Sequence, residues 1–380
     1  MDKNYDNHYR ERAYTQRLEK IEAVLQAWLP ENPDPKGAAK NWMTQVFSGI
    51  NDTIAPELVQ SLTQPGWDLF NRGGKRWRPL LMTLICETLG GGDKALALTP
   101  LLEFPHTASL IHDDIEDNAD ERRGAPAIHI RYGTDTAING GAFLYFLPLA
   151  CINTWDASAE QKNLIFDFWG AYMRRLHLGQ AMDIRWHRDF ASLPSLEAYK
   201  LMCRLKTGSL AGLAAVLGVA AAQSRADALS EHESALFNTL GKAAENVGIG
   251  FQILDDVKNL TTGNPGKKRG DDVVEGKKSL PVLLYLYHHP EGRELVIRCF
   301  TAARKRESRV DAVEELIEAL TADGVLNEAS EQGWSLIREA QDVFARIPGA
   351  DQVLGDSGAL LRGLLDFIGG SSMIRISAYV

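Results

Sequence analysis

Apolar side chains recur at intervals of three and four residues along almost the entire chain of 380 residues. In the first such stretch, Tyr14, Leu18, Ile21, Leu25 and Trp28 fall on one face, which predicts an amphipathic helix with this face buried. No run of alternating apolar and polar positions indicates a sheet. The pattern therefore predicts an all-α fold, with further helices over residues 37–71, 78–90, 94–116, 134–155, 158–187, 195–224, 229–262, 278–288, 291–304, 308–322, 325–347 and 353–368.

The interruptions of this pattern are short and rich in residues that end helices. Three prolines within residues 30–35 close the first helix, and glycine-rich turns at 90–93 and 263–266 separate later helices. No long low-complexity segment divides the chain. We therefore expect an N-terminal helical extension and linker over residues 1–36, followed by a single large helical bundle over residues 37–380.

Two aspartate-rich motifs lie about 140 residues apart in otherwise apolar helical stretches. Carboxylates beside core residues are costly to desolvate unless a cation shares their site. Because positions i and i+4 lie on one face of a helix, the first and last residue of each motif are predicted to bind one divalent ion together. Oxygen ligands favour Mg²⁺ or Mn²⁺ over zinc. The motifs are Asp113-Asp114-Ile115-Glu116-Asp117 and Asp255-Asp256-Val257-Lys258-Asn259.

Basic residues cluster beside these acidic motifs, although the chain as a whole is acidic. Arginine and lysine side chains suit phosphate oxygens, and neighbouring glycines let the backbone approach a ligand closely. Cations beside acid clusters are typical of a site for an anion that is bridged by metal, and diphosphate fits this description. The clusters are Gly73-Gly74-Lys75-Arg76-Trp77-Arg78-Pro79, Arg122-Arg123-Gly124 and Gly266-Lys267-Lys268-Arg269-Gly270.

Net charge, cysteines and apolar run lengths restrict the remaining function classes. A formal net charge of −9 at pH 7 argues against nucleic-acid binding. Four cysteines lie far apart without the spacing of a zinc site or a disulfide framework, which predicts a reduced, cytoplasmic setting. The most apolar runs, 140–152 and 209–222, are shorter than the roughly 20 residues that span a bilayer, so no transmembrane segment is expected.

Taken together, these motifs resemble those of the trans-isoprenyl diphosphate synthases, over about residues 60–290. The resemblance implies a large all-α bundle around a deep central cavity and a homodimer. It also implies that the substrates are isopentenyl diphosphate and an allylic diphosphate: dimethylallyl, geranyl or farnesyl diphosphate. The matching residues are both aspartate motifs, Gly74-Lys75-Arg76-Trp77-Arg78-Pro79, His106, Arg122-Arg123-Gly124, Gly179-Gln180, Asp183, Lys206-Thr207-Gly208, Phe251-Gln252, Gly266-Lys267 and Gly270-Asp271-Asp272.

The same resemblance implies a role for individual side chains. About three Mg²⁺ ions, with Mn²⁺ as an alternative, would be bound by Asp113, Asp117 and Asp255, with Asp114 and Asp256 supporting them. Allylic diphosphate would be bound by Arg122, Lys206 and Lys267, and isopentenyl diphosphate by Lys75, Arg78, His106 and Arg123. The allylic carbocation would be stabilised by Thr207 and Gln252. The implied catalytic residues are therefore Lys206, Thr207 and Gln252.

A narrower resemblance, to eukaryotic-type geranylgeranyl diphosphate synthases, implies a C20 product. Ala108 and Ser109 precede the first motif and are too small to stop a growing chain early. In that subgroup a Tyr-Phe pair and a histidine form the floor of the product cavity, and Tyr145, Phe146 and His177 match them. The subgroup also carries asparagine at the position of Asn259.

Three alternatives remain open at this stage. The chain is long enough for a synthase of C25 or longer products. A terpene cyclase is disfavoured because it would not need the isopentenyl site at Lys75 and Arg78. A non-catalytic partner subunit is disfavoured because both aspartate motifs are present.

Overall fold

The regular structure of the chain is almost entirely helical in a computed structural model, which confirms the predicted all-α fold. The structure describes residues 3–33, 38–48, 50, 54–223, 231–263, 268–305, 308–347 and 357–369. The helices are α1 (Lys3–Trp28), α2 (Ala38–Val46), α3 (Pro56–Asn71), α4 (Trp77–Thr88), α5 (Pro100–Glu116), α6 (Ile128–Tyr132), α7 (Thr134–Phe146), α8 (Leu149–Thr154), α9 (Ala159–Arg188), α10 (Leu196–Cys203), α11 (Ser209–Ala222), α12 (Glu231–Thr261), α13 (Asp271–Glu275), α14 (Leu280–His288), α15 (Arg293–Ala303), α16 (Arg309–Asp323), α17 (Val325–Phe344) and α18 (Ser357–Gly369).

Several boundaries differ from the predicted ones for identifiable reasons. The predicted helix over 134–155 is divided because Pro148 cannot donate a hydrogen bond to the preceding turn. The predicted helix over 37–71 is divided because Pro56 begins a helix of its own. Short elements were not predicted at all: α6, α13, and a hairpin in which β1 (Glu121–Arg122) pairs antiparallel with β2 (Ala125–Pro126).

Helix α11 lies at the centre of the bundle and packs against α4, α9 and α12. All its residues from Ser209 to Ala221 are buried, and many of them are alanine or glycine. Such small side chains let neighbouring helices come close: a Cβ added to Gly248 of α12 would lie 2.6 Å from the Cα of Gly208. The close approach brings the segment before α11 against α12.

That segment is a single π-helical turn, Arg204–Gly208, between α10 and α11. Its wider turn carries Lys206 and Thr207, and π-helical turns are frequent at functional sites. Gly179 of α9 lies directly against it, since a Cβ there would overlap the backbone nitrogen of Lys206. The turn is therefore held between α9 and α12.

The N-terminal helix α1 belongs to the main core. The predicted apolar face is buried: Tyr14, Leu18, Ile21 and Leu25 are each at most 3% exposed. They share one hydrophobic cluster with α4, α5 and α18, and the Tyr14 hydroxyl donates to the carbonyl of Leu360. The division of the chain at residue 36 stays a prediction, and residues 34–37 lie outside the described residues.

Two apolar helical stretches extend beyond the apolar runs 140–152 and 209–222 that the sequence shows. By length and composition, Thr134–Thr154 and Leu196–Ala222 could each cross a bilayer. The second is 83% buried inside the protein, so packing around α11 accounts for its composition. The first is 50% buried. The expected absence of a transmembrane segment stays a prediction.

Candidate active site

A cavity of about 460 Å³ opens between the start of α4, the end of α5, the middle of α9, the π-helical turn and α12. It has a basic half near α4 and an acidic half near the end of α5. Most residues singled out from the sequence line it: Lys75, Arg78, His106, Asp113, Arg122, Arg123, Lys206, Thr207, Gln252, Asp255 and Asp256. Lys267 lies outside the described residues.

The basic half brings several cations close together: Arg78 is buried, Arg123 is half-buried and Lys75 is exposed. Burial lowers the pKa of Arg78 to about 10, and burial together with Arg76 lowers the pKa of Arg123 to about 10. Burial, followed by Arg78 and Arg123, brings the pKa of His106 well below its usual value. Lys75 is affected in the same direction, by burial and by Lys258. A bound anion would relieve this repulsion.

One buried donor in this half points to the same ligand. Among the described residues, the Nε–H of Arg78 has no hydrogen-bond partner, although the residue is only 7% exposed. An unmade hydrogen bond on a buried charged group is costly. Phosphate oxygens are acceptors that a guanidinium group binds well. We therefore assign anion binding to this half.

The acidic half is organised around Lys206. Its ammonium group lies 2.6 Å from Asp183 and 3.2 Å from Asp113. Burial opposes the charged form, yet Asp113 and Asp183 outweigh it and raise the pKa of Lys206 above its ordinary value. Gln180 donates to the same Asp113 oxygen at 3.0 Å and also to Glu116. The first motif is therefore bound by the Gln180 amide of α9 and by the Lys206 ammonium group of the π-helical turn.

A second lysine, which sequence reasoning missed, binds the other end of the first motif. The Nζ of Lys277 lies 3.1 Å from Asp117 and 2.6 Å from Glu275. Gly276 adopts φ +79° immediately before it and turns the chain towards the cavity. The pair Gly276-Lys277 repeats the glycine–lysine pattern of Gly74-Lys75, and that repetition is a signal that could have identified Lys277 from the sequence.

Arg122, which also lines the cavity, binds the first motif through its guanidinium group. Its Nε lies 2.8 Å from Asp114, and its Nη2 lies 3.8 Å from Asp113. Asp114 is fully buried, so it supports the end of α5 rather than facing the cavity. The predicted contact of Arg122 with an allylic diphosphate stays a prediction.

Hydrogen bonds connect the second motif to the π-helical turn. Thr207 donates to the amide oxygen of Gln252 at 2.7 Å, and the Gln252 amide donates to Asp256 at 2.8 Å. The hydroxyl of Tyr199, which the sequence did not single out, donates to Asp256 at 2.7 Å. Burial raises the pKa of Asp256 to about 6, while these two donors act against the rise. Asp255 faces the cavity and is exposed.

Asn259 does not pair with Asp255 in the way predicted from their spacing. It is 1% exposed, and its side-chain oxygen accepts a hydrogen bond from the backbone N–H of Asp272 at 3.2 Å. Its backbone carbonyl accepts from Gly270 at 2.9 Å. Asn259 thus fastens the start of α13 to α12. This prediction was wrong because the helical period shows that Asp255 and Asn259 lie on one face of α12 but does not show that the start of α13 packs against Asn259.

The carboxylates of both motifs offer oxygen ligands that fit a hard divalent ion. Within the described part of the chain, no three acidic, histidine or cysteine side chains already form a metal cluster. Burial raises the pKa of Asp117, and the nearby Asp113 adds to the rise. A divalent ion between these carboxylates would oppose both effects. Lys206 and Lys277 now supply that positive charge.

Of the three residues predicted as the cavity floor, Tyr145 and His177 lie together and Phe146 lies apart from them. The rings of Tyr145 and His177 lie 5.0 Å apart, and His112 lies 5.8 Å from Tyr145. Phe146 is 66% exposed on the surface of α7, so within one chain it does not share the buried environment of Tyr145. None of the three predicted residues is among those that line the cavity.

The helical bundle encloses a cavity with opposed basic and acidic halves. Residues 59–320 match the polyprenyl synthetase family. The chain belongs to this family, whose members depend on divalent metal ions. It is a prenyltransferase that elongates prenyl chains.

Named relatives and a solved structure agree with this assignment. The geranylfarnesyl diphosphate synthase of Aeropyrum pernix is 34% identical over 79% of this chain and 91% of its own length. The geranylgeranyl diphosphate synthase of Sulfolobus acidocaldarius is 27% identical over 81% of this chain and 94% of its own. The structure of geranylgeranyl pyrophosphate synthetase from Pyrococcus horikoshii matches with a TM-score of 0.76 and 23% identity, covering 98% of this chain and 100% of that one. The last comparison supports the fold.

Removing the Lys206 ammonium should destabilise the protein. Lys206→Met leaves Asp113 and Asp183 facing each other without their shared cation, so we expect the free energy of unfolding to fall by about 3 kcal/mol. Adding Asp183→Asn should restore part of this loss, because one repelling charge is gone. Urea unfolding of both single variants and the double variant measures the coupling. Additive effects would show that the ion pair does not organise the site.

Proposed function

We propose that the chain joins isopentenyl diphosphate head to tail to an allylic diphosphate and makes geranylgeranyl diphosphate, a C20 product, with Mg²⁺ as its metal. The observation that carries this proposal is the cavity itself. One half brings together cations, of which burial lowers the pKa of Arg78 and Arg123 to about 10, and the other presents carboxylates balanced by lysines. A diphosphate that binds through metal ions suits the acidic half, and a diphosphate that binds without metal suits the basic half.

The allylic diphosphate belongs in the acidic half. Asp113, Asp117 and Asp255 would hold the divalent ions, for which we propose three. Bound metal would stabilise the negative charge that develops on the leaving diphosphate. Lys206 and Lys277 lie beside these carboxylates, so their ammonium groups are placed to bind the same diphosphate oxygens. We assign Lys267 the same role from the sequence.

Isopentenyl diphosphate belongs in the basic half. Lys75, Arg78, His106 and Arg123 surround this part of the cavity. The low pKa of His106 makes it a neutral hydrogen-bond donor at pH 7 and not a further cation. Arg123 is fixed by donating to the backbone carbonyls of Leu69 and Gly73. No metal is needed for this pocket, since the protein supplies the positive charge.

The walls between the two halves suit a carbocation. Leu110, Leu176, Leu210 and Phe251 line this part and limit water near the reacting carbon. The hydroxyl oxygen of Thr207 lies at the cavity surface and is held by Gln252, so it can place a lone pair towards the developing positive charge. The proton lost after bond formation goes to the departing diphosphate, which leaves no step that requires a side-chain base.

Product length rests on the residues along α5 and beyond it. Ser109 lines the cavity and Ala108 is fully buried beside it, so neither blocks a growing chain. The buried Tyr145 ring contacts the ring of His177, which is exposed, and we propose that this pair ends the channel at C20. The second candidate is a C25 product, because the Aeropyrum pernix relative makes geranylfarnesyl diphosphate by its name.

Product chromatography distinguishes these two lengths. Incubation with farnesyl diphosphate, isopentenyl diphosphate and Mg²⁺ should give mainly C20 diphosphate, and chelation of the metal should abolish turnover. Tyr145→Ala should lengthen the product because it removes the buried Tyr145 ring and its contact with His177. Phe146→Ala is the matched control: its ring is 66% exposed within one chain, so product length should not change if Tyr145 alone ends the channel. Dominant C25 or longer material from the unaltered protein would reject the C20 proposal.

We also propose that two copies of the chain form a homodimer. Apolar side chains on neighbouring helices are exposed in one copy, including Ile138 and Phe146 of α7 and Leu178 of α9. Large exposed apolar patches favour burial against a partner. Sedimentation velocity should show a dimer that Phe146→Glu weakens. Val310→Glu is the control, because Val310 is as exposed at 71% but lies on α16. A monomeric unaltered protein would contradict the proposal.

A cytoplasmic location is proposed from the cysteines. Cys86, Cys151, Cys203 and Cys299 are all free and buried. Burial raises the pKa of each thiol, which disfavours the reactive thiolate. These properties suit a compartment in which thiols stay reduced.

A further inference from the structure

Arg76 lies between Lys75 and Arg78 in sequence, yet its guanidinium group is fully engaged by the protein. It is 4% exposed, and it donates to Glu103 at 3.0 Å, to Glu22 at 3.1 Å and to the carbonyl of Phe70 at 2.9 Å. The group also stacks over the Phe70 ring at 4.2 Å. We call Glu22, Arg76 and Glu103 the Arg76 triad.

The backbone at Arg76 depends on these contacts. Its φ of +47° lies in the left-handed region, which is unfavourable for residues other than glycine and persists where the surroundings enforce it. Arg76 also precedes the first residue of α4, so its conformation sets the direction in which Lys75 leaves the helix start and Arg78 enters it. The triad therefore controls the geometry of two residues of the basic half.

Arg76 is held against a neighbouring arginine. A Cβ on Gly74 would lie 2.8 Å from the Nη1 of Arg76 and 3.2 Å from the Nη2 of Arg123, so the two guanidinium groups flank Gly74. Arg76 also contributes to the lowered pKa of Arg123. Arg76 is a fourth cation close to the proposed isopentenyl diphosphate pocket, after Lys75, Arg78 and Arg123, and two carboxylates pair with it. Glu103 of α5 supplies one, and Glu22 of α1 supplies the other.

Glu22 is costly to place there. Burial raises its pKa, although Arg76 acts in the opposite direction. Its Oε2 is buried and has no hydrogen-bond partner among the described residues. It lies on α1, outside residues 59–320 that match the family. A carboxylate desolvated in this way points to a specific task at Arg76.

We propose that Glu22 is a positioning residue for isopentenyl diphosphate: through Arg76 it fixes Lys75 and Arg78, so that α1 forms part of the second-substrate site. This inference rests on the proposed function of the basic half. Without Glu22, Arg76 would keep Glu103 as its only carboxylate partner and would be held less firmly in its strained conformation. The loop at residues 73–76 would then lose the arrangement that presents its cations to the diphosphate.

Steady-state kinetics of Glu22→Gln test this role, because simple electrostatics predicts the opposite sign. Loss of a negative charge near a cationic pocket would by itself strengthen binding of an anion. Loss of positioning should instead raise KM for isopentenyl diphosphate about tenfold, with kcat and KM for the allylic substrate changed by less than about threefold. Glu22→Asp keeps the charge and should recover part of the affinity. An unchanged or lowered KM for isopentenyl diphosphate would overturn the proposal.

Two further variants separate the possible causes. Arg17→Gln breaks the pair with Glu87 at 2.6 Å, which also joins α1 to α4, but near the far end of α4. It should lower the melting temperature about as much as Glu22→Gln and leave both KM values unchanged. An equal rise in KM for isopentenyl diphosphate would show that α1 acts only through stability.

Lys75→Gln should raise KM for isopentenyl diphosphate. If it does and Glu22→Gln does not, the triad has no positioning role. If Lys75→Gln has no effect, the proposed pocket itself is wrong.

Discussion

The cost of removing charge from water governs how this cavity is built. Lys206 shares its ammonium group between Asp113 and Asp183, and Lys277 shares its own between Asp117 and Glu275. These pairs allow carboxylates to remain beside a hydrophobic core before any ligand arrives. In the basic half, burial lowers the pKa of Arg78, and burial together with neighbouring arginines lowers the pKa values of Arg123 and His106. The two halves of the cavity thus differ in charge balance, and each half is suited to one of the two diphosphates.

The helical bundle makes this separation possible by fixing where each charge lies. Helix α11, built from small apolar residues, is buried and lets α9 and α12 approach from both sides. The π-helical turn before it presents Lys206 to one motif and Thr207 to the other, where Gln252 and Asp256 continue the hydrogen-bonded chain. Helix α1 adds the Glu22 carboxylate, which accepts a hydrogen bond from Arg76 beside the basic half. The helices therefore place Arg78, His106, Asp113 and Asp255, and the π-helical turn places Lys206 and Thr207.

Periodicity predicted most helices and the buried face of α1, because burial of apolar side chains follows the helical repeat directly. The acidic and basic motifs predicted most residues of the cavity, because their composition is costly anywhere except at a ligand site. Partners distant in sequence could not be predicted: Lys277 for Asp117, Tyr199 for Asp256 and Glu22 for Arg76 all depend on how helices pack. Packing also explains why Asn259 serves α13 and why Phe146 lies on the surface.

The central claim is that the basic half binds its diphosphate with protein cations alone, while the acidic half requires metal. Isothermal titration calorimetry of each substrate separately, in chelator and in Mg²⁺, tests it most directly. Isopentenyl diphosphate should bind with similar affinity in both conditions. Farnesyl diphosphate should bind at least about tenfold more tightly with Mg²⁺, because the carboxylates repel it otherwise. Equal affinity for farnesyl diphosphate with and without metal would contradict the account.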